Sequence, residues 1–323
     1  MTLTQLEYIL AVEEHQNFNR AAEACQVAQP SLSMQIKKIE DFLGVRIFQR
    51  STNSQIIITD IGRKVLDKAL HIQKESENLK NICLNFNNEM SGVLRIGIIP
   101  TIGPYLFPLF LEKLKETYPL LKIEIIEDST NVLMKQIYLR QIDVAILSPP
   151  QTAPPELIEK LLYYEPFLLY AAKTHPILSD DPEIKLSALS DYNVTLLNET
   201  HCMRDQVIQA CSAQKPQSPD IFLKSGSLQT LISIVEIQNG FTLIPQLSEK
   251  TLNLKFRDRG LRRIGGKTPY RKISFLFNKN IVRKKIIDAV HDIIQKSLPD
   301  TVLIKSDRRG FVITPKKDHF KID

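Results

Sequence analysis

The sequence predicts an all-α N-terminal unit with a small β wing, a long linker helix, and a larger α/β domain behind them. Three observations carry this. Apolar residues recur at helical spacing over roughly the first 45 positions and give way to two short β-rich runs. Residues 60–89 contain no proline and a single glycine, Gly62. From Ser91 onward strand-like and helix-like segments alternate. The 323 residues are enough for two or three domains.

The N-terminal elements follow from spacing. Residues 2–14 place Leu3, Leu6, Ile9, Leu10 and Val12 near helical intervals. In NFNRAAEAC, the residues Phe18, Ala21, Ala22 and Cys25 share one face, and QVAQ is only long enough for a turn. PSLSMQIKKIEDFLG opens with Pro30, suited to a first helical position, and closes on Gly44, a C-terminal stop. Leu32, Ile36, Ile39 and Leu43 form its buried stripe, and Ser31, Met34, Lys37 and Lys38 lie away from it. RIFQR and QIIIT flank the polar turn STNS and read as a wing. Residues 1–59 therefore predict a winged helix-turn-helix whose second helix is built to read a major groove. The competing reading is a small three-helix domain with no ligand.

Over residues 60–90, Val65, Ala69, Ile72, Ser76, Leu79, Cys83 and Phe86 alternate at intervals of four and three, with Ser76 a weak point. One apolar stripe on a long helix needs a partner, so this linker helix predicts dimerisation. Cys25 and Cys83 fall on packing faces and are expected to be inert.

Strand candidates in residues 91–297 are VLRIGII, KIEIIED, DVAILS, FLLYAAK, NVTLLN, IFLKS, FTLIP and KISFLFN. Helical stretches at 104–117, 130–141, 203–213, 228–239 and 281–297 lie between many of them. Repeated βα units predict a mainly parallel sheet, in one body or two lobes, with ligands at the carboxyl ends of strands. Thr101 and Thr130 fall at such ends, where a helix-capping role competes with a binding one. Residues 298–323 form a basic extension for which a disordered or loosely docked tail is the expectation.

Composition excludes several classes. No apolar run approaches the roughly 20 residues of a membrane helix. The N-terminus shows no secretory signal. Four cysteines in so long a chain make no disulfide scaffold, which favours the cytoplasm. GxGxxG, Walker A, HExxH and GxSxG patterns are all missing from the sequence. The net charge of +6 sits at the C-terminal end: Lys255 onward holds 19 Lys/Arg against 7 Asp/Glu, whereas residues 1–90 hold 10 against 11. A DNA-binding claim must therefore rest on local pattern.

The stretch ETHCMRDQVIQAC places Cys202 and Cys211 nine residues apart. If Thr200 caps a helix whose buried side includes Val207, Ile208 and Cys211, the two thiols are separated by about 13.5 Å of rise and point to opposite sides. A disulfide needs Cα atoms about 4.4–6.8 Å apart, so an intact helix and a 202–211 bond exclude each other. Cys202 would lie in the first helical turn, where the dipole favours thiolate, with His201 and Arg204 nearby in sequence. A thiolate there could be oxidised by peroxide and resolved by Cys211. A zinc site is the weaker alternative, since His201, Cys202 and Cys211 lack the usual ligand spacing. Two inert thiols in a helix, or a thiol peroxidase, are the remaining readings.

Taken together, the chain resembles the LysR-type transcriptional regulators over about residues 1–297, most specifically in AAEACQVAQPSLSMQIKKIEDFLGVRIFQR. The resemblance implies a winged helix-turn-helix, a linker helix, and an α/β periplasmic-binding-protein-like regulatory domain of two lobes, usually assembled as tetramers on promoter DNA. RIGIIPTIGPYLFP, HCMRDQVIQAC, SLQTLISIVEIQNGFTLIP and YRKISFLF are similar to the hydrogen-peroxide-sensing members of that family. Carried over, Cys202 is the peroxidatic cysteine and Cys211 the resolving one. Thr101, Thr130 and His201 line the peroxide pocket, with Asp205, Ser227 and Arg271 in support. Gln29, Pro30, Ser31, Ser33 and Lys37 match the recognition-helix contact region and Arg50 the wing. Asn198-Glu199-Thr200 departs from the more glycine-containing approach to the sensing cysteine, and the tail beyond residue 297 has no counterpart in the pattern. The implied partners are promoter double-stranded DNA, further copies of the chain, RNA polymerase and a cellular thiol reductant. No cofactor, metal or membrane contact is implied, and no enzymatic role. The alternative within the family is a small organic acid bound between the lobes, with the cysteines as bystanders.

Overall fold

The computed structural model describes residues 1–50, 56–86, 90–150, 154–178, 183–192, 194–197, 201–211, 227–252, 260–305 and 310–315. The chain divides into two compact units, Met1–Glu89 and Met90–Asp323.

In the first unit, α1 (Leu3–His15) begins on a reciprocal cap: Gln5 N donates to Thr2 Oγ1, and Thr2 N donates to Gln5 Oε1. Asn17 caps α2 (Phe18–Ala24) by accepting from Asn19 N and Arg20 N. α3 (Gln29–Leu43) carries Pro30 in its first turn and stops at Gly44, whose φ of +68° is the left-handed conformation that ends helices. β1 (Phe48–Arg50) pairs antiparallel with β2 (Ile56–Ile58), and α4 (Asp60–Phe86) follows. Leu6, Ile9, Ala21, Leu32, Ile36, Ile39, Ile47, Leu66 and Ala69 pack into one core. A side chain at Gly62 would overlap the Ile47 carbonyl, so only glycine lets α4 start against the wing.

One face of α3 departs from expectation. Leu43 is exposed, and Glu40 takes the buried position. Its Oε1 accepts from Ile47 N (2.7 Å) and Phe48 N (3.1 Å), while Arg46 Nη1 donates to Oε2. The carboxylate ties the end of the helix to the start of the wing by charge-assisted hydrogen bonds. Hydrophobic spacing alone cannot show a polar residue acting as a core tie.

The second unit comprises β3 (Gly92–Ile98), α5 (Gly103–Thr117), β4 (Leu121–Glu127), α6 (Thr130–Tyr138), β5 (Val144–Leu147) and β6 (Leu157–Ala171). Then come β7 (Glu183–Lys185), α7 (Cys202–Ala210), α8 (Leu228–Ile237), β8 (Phe241–Pro245), β9 (Leu261–Gly265), β10 (Thr268–Asn278), α9 (Lys284–Ser297) and β11 (Gly310–Ile313). Strand order runs β4-β3-β5-β10-β6-β9-β7, with β8 beside β6 and β11 beside β10. The expected mainly parallel sheet is corrected to a mixed one. β3 is parallel to β4 and β5, but β10 is antiparallel to β5 and β6, and β8 and β9 are antiparallel to β6. The physical reason is length. β6 and β10 are long strands that pass through the whole unit and pair with each other from Tyr270↔Pro166 to Asn278↔Leu157.

Two cores result, so this unit has two lobes. Leu94, Ile96, Phe110, Val144, Leu162, Phe275 and Val290 belong to the first, and Phe167, Leu169, Val207, Leu231, Phe241 and Leu243 to the second. β6 contributes to both cores, and β10 contributes Ile273 and Phe275–Phe277 to the first. Their register slips between Ile273 and Ser274, where Leu162 is the extra residue. NVTLLN is not a strand: Val194 makes one isolated bridge to Phe241. IFLKS lies outside the described residues. For its described residues the expected loose tail is also corrected: Val302 is buried in the first core, and β11 adds to β10. Among the described residues no helix is long and apolar enough to cross a membrane.

Candidate functional site

α7 spans the junction of the two lobes. Its first residue, Cys202, is buried in the first core, and Cys211, at its C-terminal cap, is buried in the second. Both thiols are free. This is the divergence that nine helical steps dictate. The buried positions are Cys202, Met203, Gln206, Val207 and Ala210, so Ile208 does not join the buried side as expected. His201 is the N-cap, without a side-chain capping bond, and Thr200 lies outside the described residues. Arg204 Nη1 donates to the Leu197 carbonyl (3.1 Å). Gln206 Nε2 donates to Ser148 Oγ (3.0 Å) and to the Ile313 carbonyl (3.1 Å).

The chemistry of Cys202 is set by opposing effects. Burial raises its thiol pKa, and the Thr130 hydroxyl and the Arg271 charge pull it down. Asp205 pushes it up slightly, and the Met203 backbone lowers it. The net direction is upward: burial outweighs the neighbours that favour the thiolate. Burial pushes Cys211 up to about 12. His201 is lowered by burial and is neutral at pH 7.

Arg271 is the fixed cation of the site. It is 1% exposed, and its partner Glu165 is 0% exposed. Nε donates to Glu165 Oε2 (2.9 Å), Nη1 to Thr101 Oγ1 (3.0 Å) and Nη2 to the Thr101 carbonyl (2.9 Å). Glu165 Oε1 accepts from Leu247 N (2.8 Å). The guanidinium is thus held by β6 on one side and the β3–α5 turn on the other. Neither Thr101 nor Thr130 is a helix cap: Ile102 and Ser129 hold those positions. Gln206 Oε1 is buried with no hydrogen-bond partner, and Thr130 Oγ1 has none within bonding distance, so its pull on the Cys202 thiol is that of a nearby hydroxyl and not of a formed bond.

The structure therefore places Thr130, Asp205 and Arg271 near Cys202, with Thr101 bonded to Arg271 and His201 next in sequence. Ser227 instead caps α8, accepting from Thr230 N at 3.3 Å. Glu165, Gln206 and Ser148 were not singled out in the sequence. A lone glutamate in YYEPFLLY carries no local signal that it will meet an arginine 106 positions away. Among the described residues no cluster of three or more His, Cys, Asp or Glu is placed to hold a metal ion.

On α3, Pro30, Ser31, Met34, Lys37 and Lys38 are exposed, and Gln29 Nε2 donates to Ser33 Oγ (2.8 Å). Arg50 ends β1, in register with Ile56; its side chain lies outside the described set. A short helix pair with a solvent-facing second helix and an adjacent two-stranded wing is the geometry of a groove-reading domain.

Residues 3–63 match the bacterial regulatory helix-turn-helix protein, lysR family, and residues 87–299 match the LysR substrate binding domain. The chain belongs to the LysR family. Within it, this LysR-type chain is 36% identical over 248 residues to the hydrogen peroxide-inducible genes activator of Pectobacterium carotovorum, covering 77% of this chain and 81% of that one. It is 35% identical over 248 residues to the DNA-binding transcriptional dual regulator OxyR of Escherichia coli K12, covering 77% and 80%. A full-length OxyR variant from Pseudomonas aeruginosa superimposes with a TM-score of 0.73 at 30% identity, covering 91% of this chain and 98% of that one. A peroxide-bound OxyR mutant from Corynebacterium glutamicum gives 0.60 at 30% identity, covering 92% of each chain.

Proposed function

We propose that this LysR-type protein is a transcriptional regulator of the OxyR kind, which senses hydrogen peroxide through Cys202 and Cys211. The thiolate of Cys202 attacks one peroxide oxygen; the O–O bond breaks, hydroxide leaves and takes up a proton, and a sulfenic acid remains. The Cys211 thiol then displaces the sulfenic hydroxyl as water, giving the disulfide. Two thiols lose two electrons, and one peroxide becomes two waters.

The single observation that carries this reading is that α7 holds its two thiols in two different cores. The disulfide cannot form while α7 stays helical, so oxidation must rebuild the lobe junction. Arg271 and Thr130 supply what a buried thiol lacks, a nearby positive charge and a donor that favour the thiolate form. Thr101 positions Arg271, and His201 and Asp205 are supporting residues. The reaction is stoichiometric sensing and not catalysis.

In the first unit, Gln29, Pro30, Ser31, Ser33 and Lys37 meet the major groove of promoter DNA, and Arg50 meets the backbone from the wing. α4 pairs two copies, and two dimers form the tetramer whose shape on DNA changes with oxidation. RNA polymerase and a cellular thiol reductant complete the cycle in the cytoplasm. The organic-acid alternative is weaker, because the buried cation at the lobe junction is already engaged by Glu165 and Thr101.

The test is peptide mass analysis of the full-length protein after one equivalent of peroxide and thiol alkylation. The expected product is a linked 202–211 peptide, with Cys202→Ser losing the response and retaining promoter binding. Absence of that peptide, with Cys202 still alkylatable, ends the proposal.

A further inference from the structure

The stretch after residue 299 lies beyond the part of the chain that the family model matches. Its described residues are nonetheless built into the lobe junction. Leu303 and Tyr164 exchange backbone hydrogen bonds (2.6 and 2.9 Å) at the middle of β6. Val302 is buried in the first core, and Ile313, 2% exposed, in the second. Between these anchors, β11 pairs in parallel with Thr268–Arg271 of β10. It uses the edge of β10 opposite β6, the same edge that β5 occupies further along at Ser274–Leu276.

This strand touches the redox helix. Gln206 Nε2 and Gln209 Nε2 of α7 donate to the Ile313 and Thr314 carbonyls (3.1 and 3.2 Å). Ile313 shares its core with Met203, Val207, Ala210 and Cys211, which lie on α7 and its C-terminal cap. Gln206 reaches Ser148 through the same amide, so helix, C-terminal strand and first lobe meet at one side chain.

We propose that β11 acts as an intramolecular latch: the strand holds α7 helical in the reduced state and is released when the 202–211 disulfide forms. The inference rests on the redox reading above. Residues 202 and 211 of an intact helix stand about 13.5 Å apart along its axis, so linking them must unwind the turns that carry Gln206 and Gln209. Both amides then leave the strand's carbonyls, and Ile313 loses an apolar wall. By linkage, whatever favours the docked strand favours the dithiol and raises the oxidant level needed to fire the switch. With hydrogen peroxide as oxidant the electron balance is that of the two thiols alone; the latch contributes no atoms.

Hydrogen exchange of the full-length protein, read by mass with and without peroxide, tests this directly. The expected result is strong protection of residues 310–315 when reduced and loss of that protection in the fraction carrying the linked peptide. A linked peptide with protection unchanged overturns the latch and leaves the redox reading standing. No linked peptide at all overturns both.

A second measurement sets Ile313→Ser and Gln209→Leu against the wild type in thiol–disulfide buffers. Ile313→Ser is expected to shift the equilibrium toward disulfide about tenfold, or about 30 mV more negative. Gln209→Leu removes one solvent-exposed hydrogen bond, keeps the fold, and shifts the equilibrium a few-fold the same way. Unchanged equilibria in both variants overturn the latch.

Discussion

Arg271 is buried with Glu165 on one side and Thr101 on the other, and its charge reaches the Cys202 thiol. A buried ion pair adds little net stability, but removing one partner strands the other, which costs about 3–5 kcal/mol. Arg271→Met is therefore expected to unfold at markedly lower urea. Adding Glu165→Gln to that variant neutralises the stranded carboxylate and keeps a side-chain acceptor for Leu247 N, so it recovers much of the stability. Peroxide consumption by the double variant stays slow, because the positive charge beside the sulfur is gone. Urea midpoints and stopped-flow thiol loss separate the two effects, and recovery of the fast reaction in the double variant would assign Arg271 a purely structural role. The thiols also carry a pH signature. Cys211 is raised to about 12 in the fold, against about 8.5 for a free cysteine. A raised value means its contribution is fully present below the unfolded pKa and is lost as pH climbs toward 12, at about 1.4 kcal/mol per unit. Under reducing conditions the urea midpoint should fall between pH 8.5 and pH 10.5 more steeply for the wild type than for Cys211→Ser.

At the scale of elements, spacing reads helices well and strands unevenly. α1, α3, α5, α8 and α9 announce themselves because each buries one stripe and exposes the rest. β6 and β10 were seen only in part, as FLLYAAK and KISFLFN, although they extend over Leu157–Ala171 and Thr268–Asn278. The unread start of β10 does alternate in burial, but its buried residues are Pro269 and Arg271, which carry no hydrophobic signal, and the unread start of β6 buries residues without a regular alternation. The short β7 and the C-terminal β11 have no local pattern at all; each exists because an edge was available. The divergence of Cys202 and Cys211 along α7 was legible from spacing, whereas the ties of Gln206 and Glu165 depend on contacts across more than 50 positions. Two predictions belong here. On α4, Leu79 is 65% exposed in the single chain and Ile72 is also exposed, as a helix awaiting its own copy would be. Leu79→Glu should weaken self-association by tenfold or more in sedimentation, and an unchanged dimer would place the interface elsewhere. On α3, Lys37→Ala should lower affinity for all DNA sequences alike and reduce the salt dependence by about one ion; a loss confined to one sequence would make it a base reader.

At the scale of the molecule, the second unit is not two bodies joined by flexible loops. β6 runs from the first core into the second, β10 is hydrogen-bonded to its Leu157–Pro166 stretch, and the single misfit in their pairing falls between Ile273 and Ser274, opposite Leu162. A two-stranded ribbon of this kind resists being pulled apart but yields to torsion, and it yields first where its rungs are out of step. A disturbance of the junction near Cys202 therefore meets β6, the strand whose residues belong to both cores.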